Sequence, residues 1–226
     1  MAALLERYFP NVVAIQDEFV TATIQTLYMV FWTSLIAGIL GILLGIVLVV
    51  TRPNGILENR PLFEFLDKAI NVVRSIPFII LLTLLGTFTR FLVGTTIGET
   101  AALVPLIAGI IPFFARQIEI ALLEVDPGVV EAAEAMGTSP FGIIFRVYLP
   151  EGVAGIIRVS ALTVINVIGL TAMAGAVGAG GLGNLAITRG YNRFQTDVTI
   201  MATLIILVFV FISQFVSNLL IKRVSH

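Results

Sequence analysis

The chain of 226 residues lacks cysteine, has one histidine and carries few charges. Without cysteine, neither disulfide bonds nor thiol chemistry is available. The histidine is the C-terminal residue, His226, so a histidine metal site or a histidine base inside a membrane is excluded. No Gly-x-x-x-x-Gly-Lys-Ser/Thr sequence occurs, so the chain lacks the usual loop for ATP phosphates. We therefore expect no catalytic residue, no metal ligand and no cofactor site on this chain.

Hydrophobic residues make up 58% of the chain and charged residues only 12%, whereas a soluble domain carries about a quarter charged residues. This composition is typical of an integral membrane protein, whose partner over most of its surface is lipid. The formal net charge is −1 and the basic residues form no cluster. We therefore expect no nucleic-acid partner.

Five apolar runs are long enough to cross a bilayer, whose hydrocarbon core takes about 20 helical residues. They predict membrane-spanning helices at residues 27–50, 69–88, 100–123, 152–174 and 198–221. The pattern predicts an all-α membrane protein in which residues 1–226 form a single transmembrane domain. The first 19 residues mix acidic and apolar side chains, which is typical of an exposed or interfacial lead-in and not of a secretory signal peptide.

Basic residues are distributed unevenly between the two sides of these spans. Nine lie on the side of the loop between spans three and four, namely Arg52, Arg60, Lys68, Arg74, Arg116, Arg146, Arg158, Lys222 and Arg223. The other four are Arg7, Arg90, Arg189 and Arg193. Because basic loops stay in the cytoplasm, the bias predicts an N-terminus outside and a C-terminus in the cytoplasm. That orientation requires an odd number of spans, and five satisfies it.

The loop at residues 124–151 is the one substantial polar stretch between the spans, and its first part predicts a short helix. Asp126 can cap a helix that starts on Pro127, and Gly137 suits the left-handed position just past the end of that helix. One side of this helix carries Val129, Ala132, Ala133 and Met136. The helix is therefore predicted to be amphipathic, and it is too short to span a bilayer.

The second part of the loop predicts another short helix. Ser139 and Pro140 repeat the same start signal. Its apolar stripe is Phe141, Ile144, Phe145 and Tyr148. We expect this helix to end near Tyr148, because the residue before Pro150 is disfavoured in the helical region. Periodicity alone is equally compatible with a helical loop that simply lies on the membrane surface.

Part of this loop resembles the EAA loop of importer-type ABC-transporter permeases. The matching residues are Glu131, Ala132, Ala133, Gly137, Leu149 and Pro150, with Pro140 between them. Val147 departs from the usual pattern, in which isoleucine is commonest. The resemblance implies that these residues belong to a coupling helix that docks into a groove on a separate ATPase subunit. ATP and Mg²⁺ would be bound by that subunit.

Further segments resemble the methionine-uptake permease family. They are Thr51-Arg52-Pro53, residues 74–82, residues 93–98, residues 121–124 and residues 175–183. Together with the central loop they are spread over more than half of the chain. The N-terminal lead-in looks longer than is usual for the family, so the resemblance assigns it no role.

The resemblance implies a type I ABC importer permease fold in a bacterial plasma membrane. It implies a homodimer of five-span subunits, two ATPase subunits in the cytoplasm and an extracytoplasmic methionine-binding protein. The implied function is import of D- or L-methionine, or both, by alternating access. Alternatives are a permease for another small amino acid and a gradient-driven secondary transporter. The gradient-driven alternative is disfavoured because Glu99 and Glu119 lie towards span ends, not at mid-span.

Span four is the candidate lining of a translocation path. Asn166, Gly169 and Met173 cluster on one helical face with Leu162. The opposite face carries Ser160, Thr163 and Thr171. One face is expected to meet the rest of the bundle and the other to meet a pore or a partner subunit. A second interpretation of Met173 stays open, because methionine also fills irregular gaps in apolar cores.

Three other patterns lead to structural predictions. Residues 178–183 fit the dinucleotide fingerprint Gly-x-Gly-x-x-Gly, but they follow a membrane span and not a strand, so we predict a tight turn between spans four and five. Arg116 and Glu119 lie three residues apart and are predicted to form an ion pair. Ala37, Gly41 and Gly45 form a stripe of small residues that allows another helix to approach, which makes it a weak candidate for a dimer contact.

Overall fold

The computed structural model describes residues 8–224, and every regular element in this range is helical. The helices are α1 Pro10–Ala14, α2 Gln16–Thr51, α3 Arg60–Arg74, α4 Phe78–Leu84, α5 Gly86–Val93, α6 Glu99–Leu123, α7 Pro127–Ala135, α8 Pro140–Ile143, α9 Leu149–Ala176, α10 Gly181–Leu185 and α11 Thr196–Val224. Wider helical turns at Ile144–Tyr148 and Ala186–Tyr191 follow α8 and α10. The all-α prediction is confirmed.

Four helical segments in the described part of the chain are long and apolar enough to cross a membrane. They are Gln16–Thr51, Glu99–Leu123, Pro140–Ala176 and Thr196–Val224. They contain the predicted spans one, three, four and five. The first begins well before residue 27, because Asp17 and Glu18 lie in its first turn, where carboxylates interact favourably with the positive end of the helix dipole.

The predicted second span, residues 69–88, is not a single helix. The chain forms α3, α4 and α5 instead, with a break after Arg74 and another at Leu85. Pro77 precedes α4 with φ −55° and ψ 136°, an extended conformation that does not occur inside an α-helix. Proline also lacks the N–H that a continuous helix would use. The count of five spans therefore stays a prediction.

The lead-in is a docked element, although it was expected to be exposed or interfacial. Asn11 donates hydrogen bonds from its backbone N–H and from its side-chain amide to the Asp197 carboxylate, both at 2.9 Å. Val12 and Ile15 pack against a buried cluster that includes Phe19 and Val198. The contacts tie α1 to the start of α11. The part of the expectation that concerns residues 1–7 lies outside the described residues, as does His226.

The chain divides into two compact units. The first unit contains the chain up to Leu35, Pro77–Ile107 and Val164–Ser213, and the second contains Ile36–Ile76, Ala108–Thr163 and the chain from Gln214 onward. Buried clusters in the first unit join α2, α10 and α11 around Phe19 and Leu182, and α2, α6 and α9 around Met29 and Leu106. In the second unit, Leu48, Ile70 and Ala115 join α2, α3 and α6.

The small-residue stripe of α2 contacts a helix of the same chain. A Cβ atom at Gly41 would lie 2.7 Å from Phe114 Cδ1, and one at Gly45 would lie 2.6 Å from Ile118 Cγ2. Because real Cβ atoms do not approach other carbons this closely, only glycine allows α6 to pack here. Ala37 is also fully buried. The predicted close approach of another helix is therefore confirmed inside the second unit, and a role of the stripe in a dimer contact stays a prediction.

Candidate functional site

The central loop begins its two short helices as the sequence predicts. Asp126 precedes α7, and its Oδ1 accepts a hydrogen bond from the Gly128 N–H at 2.8 Å. Ser139 precedes α8, and its Oγ accepts from the Gly142 N–H at 3.2 Å. Each bond satisfies one of the N–H groups that a helix start leaves without an intrahelical partner. Both predicted caps are therefore confirmed.

The end of α7 is closed by a Schellman motif. Gly137 has φ +76°, a left-handed conformation that glycine adopts without a Cβ clash. Its N–H donates to the Glu134 carbonyl at 2.9 Å, and the Thr138 N–H donates to the Ala133 carbonyl at 3.1 Å. These two bonds satisfy the last carbonyls of the helix. They also fix the corner at which the chain turns from α7 into α8.

The predicted stop of the second helix near Tyr148 is wrong. The chain stays helical over Pro140–Ala176, and Leu149 has ordinary helical angles of φ −71° and ψ −45°. The turn between α8 and α9 is one residue wider than an α turn, because the Leu149 N–H donates to the Ile144 carbonyl. Pro150 then lies in the first turn of α9, where proline is tolerated. The loop therefore passes into span four without the break that was expected near Tyr148.

The predicted coupling residues differ in exposure. Glu131, Ala132, Gly137 and Pro150 are exposed, Pro140 and Leu149 are half-buried, and Ala133 is buried. The buried residues of α7 are Val130 and Ala133. Of the apolar side predicted for this helix, only Ala133 is therefore buried. In the second helix Ile144 and Tyr148 are buried, whereas Phe141 and Phe145 face outward.

An apolar surface therefore remains on the outside of the loop. It consists of Val129, Met136, Phe141 and Phe145, which are 42%, 78%, 70% and 64% exposed. We call these four side chains the corner surface. Large apolar side chains that are exposed together mark sites of protein or membrane contact. Helical periodicity does not predict the corner surface, because it assigns each apolar stripe as a whole to one side of its helix.

Replacement of Gly137 tests whether the Schellman motif at the end of α7 fixes the turn into α8. Gly137→Val is expected to cost about 1–3 kcal/mol locally, because a β-branched residue resists positive φ. Gly137→Asn is the matched control, since asparagine tolerates the left-handed region. Limited proteolysis of the loop in membrane vesicles measures the difference. Equal cleavage rates for the two variants would show that the turn between α7 and α8 does not need a residue that tolerates positive φ at position 137.

The residues of the candidate translocation path lie along one face of α9. Leu162, Gly169 and Met173 are exposed and Asn166 is half-buried. Apart from the neighbouring backbone of α9 itself, no atom of the described chain lies within 4 Å of a Cβ built on Gly169. On the other side, Thr163 and Thr171 are buried, and their hydroxyls donate to carbonyls of their own helix at 2.8 and 2.7 Å. The division into two faces matches the prediction, while the role of the open face in transport stays a prediction.

The glycine-rich stretch forms a tight turn between α9 and α10. Gly178, Gly180 and Gly181 have φ of +96°, +80° and +76°. A Cβ at Gly175 would clash with the Asn184 backbone nitrogen, and one at Gly183 with backbone atoms of Ala172. The glycines therefore permit both the left-handed backbone and the close contact of two helices. No strand precedes them in the described residues, so the rejection of a dinucleotide site is consistent with the fold.

Two polar side chains of α2 hold this turn, and sequence reasoning missed both. Gln25 Oε1 accepts from the Gly181 N–H at 2.8 Å, and Thr26 Oγ1 accepts from the Leu182 N–H at 2.9 Å. Gln25 Nε2 also donates to Glu99 at 3.2 Å. The only sequence signal was the presence of adjacent polar residues near the start of an apolar run.

The predicted ion pair in α6 is part of a larger cluster. Arg116 Nη1 lies 2.5 Å from Glu119 Oε2, which confirms the prediction. Arg116 also pairs with Asp67 of α3, a contact that sequence spacing could not show. The Glu119 side chain is only 7% exposed, so Arg116 supplies the ionic partner of a nearly buried carboxyl group. The cluster links α3 to α6 within the second unit.

Comparison with a library of protein families gives one match over most of the chain. The family described as "binding-protein-dependent transport system inner membrane component" matches residues 37–226. The matched region contains the central loop, the glycine turn and all the helices from α3 onward. It also contains part of α2.

Comparison with individual proteins gives matches along nearly the whole chain. A probable D-methionine transport system permease protein of Vibrio cholerae is 45% identical, and the alignment covers 93% of each chain. A methionine import system permease protein of Bacillus subtilis is 46% identical, over 96% of this chain and 97% of that protein. A chain of the MetNI methionine ABC transporter, solved in inward-facing conformations, has a TM-score of 0.92 at 38% identity, with coverage of 94% and 99%.

Proposed function

The chain belongs to the family of binding-protein-dependent transport system inner membrane components, and we propose that it imports methionine as the membrane-spanning permease subunit of an ATP-driven transporter. The resemblance to methionine-uptake permeases and the predicted type I permease fold are confirmed. The structural observation that carries the proposal is the corner surface. Its four large apolar side chains lie on a polar loop and stay uncovered by the described chain, as expected of a docking site.

The corner surface and the exposed residues beside it dock onto an ATPase subunit in this proposal. Glu131 supplies charge at the contact, and Gly137 fixes the angle of the corner. Ala132, Ala133, Pro140, Leu149 and Pro150 shape the backbone around it. The ATPase subunit binds ATP and Mg²⁺, since the sequence of this chain has no phosphate-binding loop. Two permease chains and two ATPase subunits form the membrane complex, and the whole permease chain acts as one transmembrane domain.

Transport proceeds by alternating access in this proposal. Closure of the ATPase pair moves the two docked corners, and the helical segment Pro140–Ala176 carries that movement from α8 into α9. The face of Asn166, Gly169 and Met173 then lines a path that opens to one side of the membrane at a time. The energy comes from ATP binding and hydrolysis on the partner subunit, and the permease contributes two stable arrangements of its helices.

The proposed orientation places the central loop and the C-terminus in the cytoplasm and the N-terminus outside. The bias of basic residues supports this orientation. An extracytoplasmic binding protein delivers methionine to the outer face, and the relatives named for D-methionine support inclusion of that enantiomer. The protein is placed in the bacterial plasma membrane.

The docking role is tested with Glu131→Lys in a mild-detergent pull-down of the chain from its native membrane. The recovered ATPase subunit is expected to fall about tenfold, equivalent to about 1.4 kcal/mol, because reversed charge disfavours a complementary contact. Glu124→Lys is the matched control, since Glu124 is an exposed carboxylate just before the loop helices. If the wild-type chain recovers no ATPase subunit, the importer proposal is wrong. If Glu131→Lys blocks membrane insertion, the residue has a structural role instead.

The energy source separates the importer from a gradient-driven carrier. Methionine uptake by proteoliposomes with ATP inside is expected to continue after a protonophore collapses the proton gradient. An immediate halt while ATP persists would favour the gradient-driven alternative. Competition by other neutral amino acids in the same assay distinguishes a methionine permease from a permease for another small amino acid.

A further inference from the structure

We infer that a polar face near the end of α11 contacts a second copy of the permease inside the membrane, an inference that rests on the permease dimer of the proposed function. The face consists of Gln214 and Asn218, which we call the carboxamide pair. Both side chains are exposed, and both residues belong to the second unit. Because residues four apart lie on the same side of a helix, the two carboxamides share one face of α11.

The carboxamide pair lies inside the membrane and not at its surface. Lys222 and Arg223 lie in the last turn of α11, and basic side chains at a helix end extend to the membrane interface. At a rise of about 1.5 Å per residue, Gln214 lies about 12 Å and Asn218 about 6 Å from the level of Lys222. The hydrocarbon core is about 30 Å thick. Gln214 therefore lies well within it.

The polar groups of the carboxamide pair are not satisfied by the chain itself. Neither side chain forms a hydrogen bond within residues 8–224. In contact with lipid tails, each amide would lose its hydration and gain no hydrogen bond, which is unfavourable by several kcal/mol. Lipid tails therefore do not cover this face. The partner at this depth supplies both hydrogen-bond donors and acceptors.

A second copy of the chain offers these groups at the required depth. Both copies dock ATPase subunits on the same side of the membrane, so both cross it in the same direction. A two-fold axis along the membrane normal then places equivalent residues at equal depth. A carboxamide both donates and accepts a hydrogen bond, so the pair is complementary to its own counterpart. Hydrogen bonds of this kind stabilise the association of membrane helices.

The neighbours of the carboxamide pair favour a packed contact over a water-filled path. Phe215 lies beside the pair and is 64% exposed. Ile221 follows Asn218 on the same side of α11 and ends the polar strip. The strip is therefore narrow and bordered by large apolar side chains. Such a border excludes water from the hydrogen bonds at the centre of an interface.

Cysteine cross-linking tests the contact, because the chain has no native cysteine. Gln214→Cys is introduced into the complete importer in proteoliposomes and treated with a short bis-methanethiosulfonate reagent, and linked permease dimers are quantified by gel electrophoresis. The matched control is Val216→Cys. Val216 is also exposed and lies at nearly the same depth, but it points about 160° away from both carboxamides. Because thiols that point apart are not bridged, cross-linking at position 214 is expected to exceed that at position 216 about tenfold.

Two outcomes overturn the contact. One is equal cross-linking, or none, at positions 214 and 216. The other is modification of Gln214→Cys by a charged, membrane-impermeant methanethiosulfonate without cross-linking, which would place the face on a water-filled path. ATP-driven methionine uptake is measured in the same proteoliposomes. Uptake without cross-linking overturns the contact and leaves the proposed function standing, whereas no uptake by the wild type overturns the proposed function.

A second variant keeps the test independent of an introduced thiol. Gln214→Leu removes the hydrogen-bonding group and retains a large side chain. Exchange of permease copies between tagged and untagged importers in mild detergent is expected to become about threefold faster, as for the loss of one interhelical hydrogen bond. Val216→Leu is the control and is expected to exchange at the wild-type rate. A wild-type exchange rate for Gln214→Leu would overturn the contact.

Discussion

Arg116→Met is expected to destabilise the permease by about 3–5 kcal/mol, the usual cost of removing one partner from a buried ion pair. The guanidinium lies 2.5 Å from Glu119 and also pairs with Asp67. Methionine retains much of the arginine's apolar volume but supplies no charge. The nearly buried Glu119 carboxylate would then lose the ion-pair partner that the structure gives it. The measurement is thermal unfolding of the chain in detergent, together with its level in the membrane.

Two further variants separate loss of charge from loss of packing. Arg60→Met removes an exposed partner of Glu58, with the Arg60 side chain 65% exposed, and is expected to cost at most about 1 kcal/mol. The double variant Arg116→Met, Glu119→Gln removes the unpaired charge as well, so part of the lost stability is expected to return. If Arg116→Met is no worse than Arg60→Met, the cluster does not support the fold.

Gly183→Val is also expected to have a large effect, about 3 kcal/mol, at the upper end of the usual cost of overpacking. A Cβ at this position overlaps backbone atoms of Ala172. A side chain can rotate away from a clash, but α9 cannot move its backbone without losing the turn at Gly178–Gly181. The variant is therefore expected to abolish uptake and to lower the amount of folded chain. Fluorescence-detected size-exclusion chromatography measures the folded fraction.

Gly38→Ala is the control for a glycine that is not constrained. Gly38 lies inside α2, and apart from the neighbouring backbone of its own helix no atom of the described chain lies within 4 Å of the position that an alanine methyl group would occupy there. Alanine at this position is expected to raise stability by about 0.5–1 kcal/mol, since glycine is the poorer helix former. If Gly183→Val and Gly38→Ala give the same folded fraction, close packing at the glycine turn is not needed.

Local signals made much of the fold predictable. A helix cap depends on a side chain and an N–H two or three residues away, so Asp126 and Ser139 were identified correctly from sequence. Gly137 was identified for the same reason, since its role depends on the immediate end of α7. Long apolar runs likewise identified the four helical segments in the described part of the chain that are long and apolar enough to cross a membrane.

Contacts between distant parts of the sequence were not predictable. Asp67 and Arg116 belong to α3 and α6, and Asn11 and Asp197 lie near opposite ends of the chain. No periodicity connects such residues. The prediction that the second loop helix ends near Tyr148 was wrong for another reason. The rule that disfavours helical angles at the residue before proline is a preference and not a prohibition. A wider turn upstream of Pro150 was enough to overcome it.

The wider turn at Ile144–Tyr148 sets the rotational phase between the two parts of one helical segment. A turn with one extra residue shifts all preceding side chains by about 100° around the axis relative to those that follow. The direction in which Phe141 points is therefore fixed relative to Leu162, which lies in the same unit, by a single inserted residue. We therefore expect a change of length within this turn to be tolerated less well than a substitution. Loss of one residue would turn Phe141 away from the proposed ATPase contact without changing the composition of the corner surface.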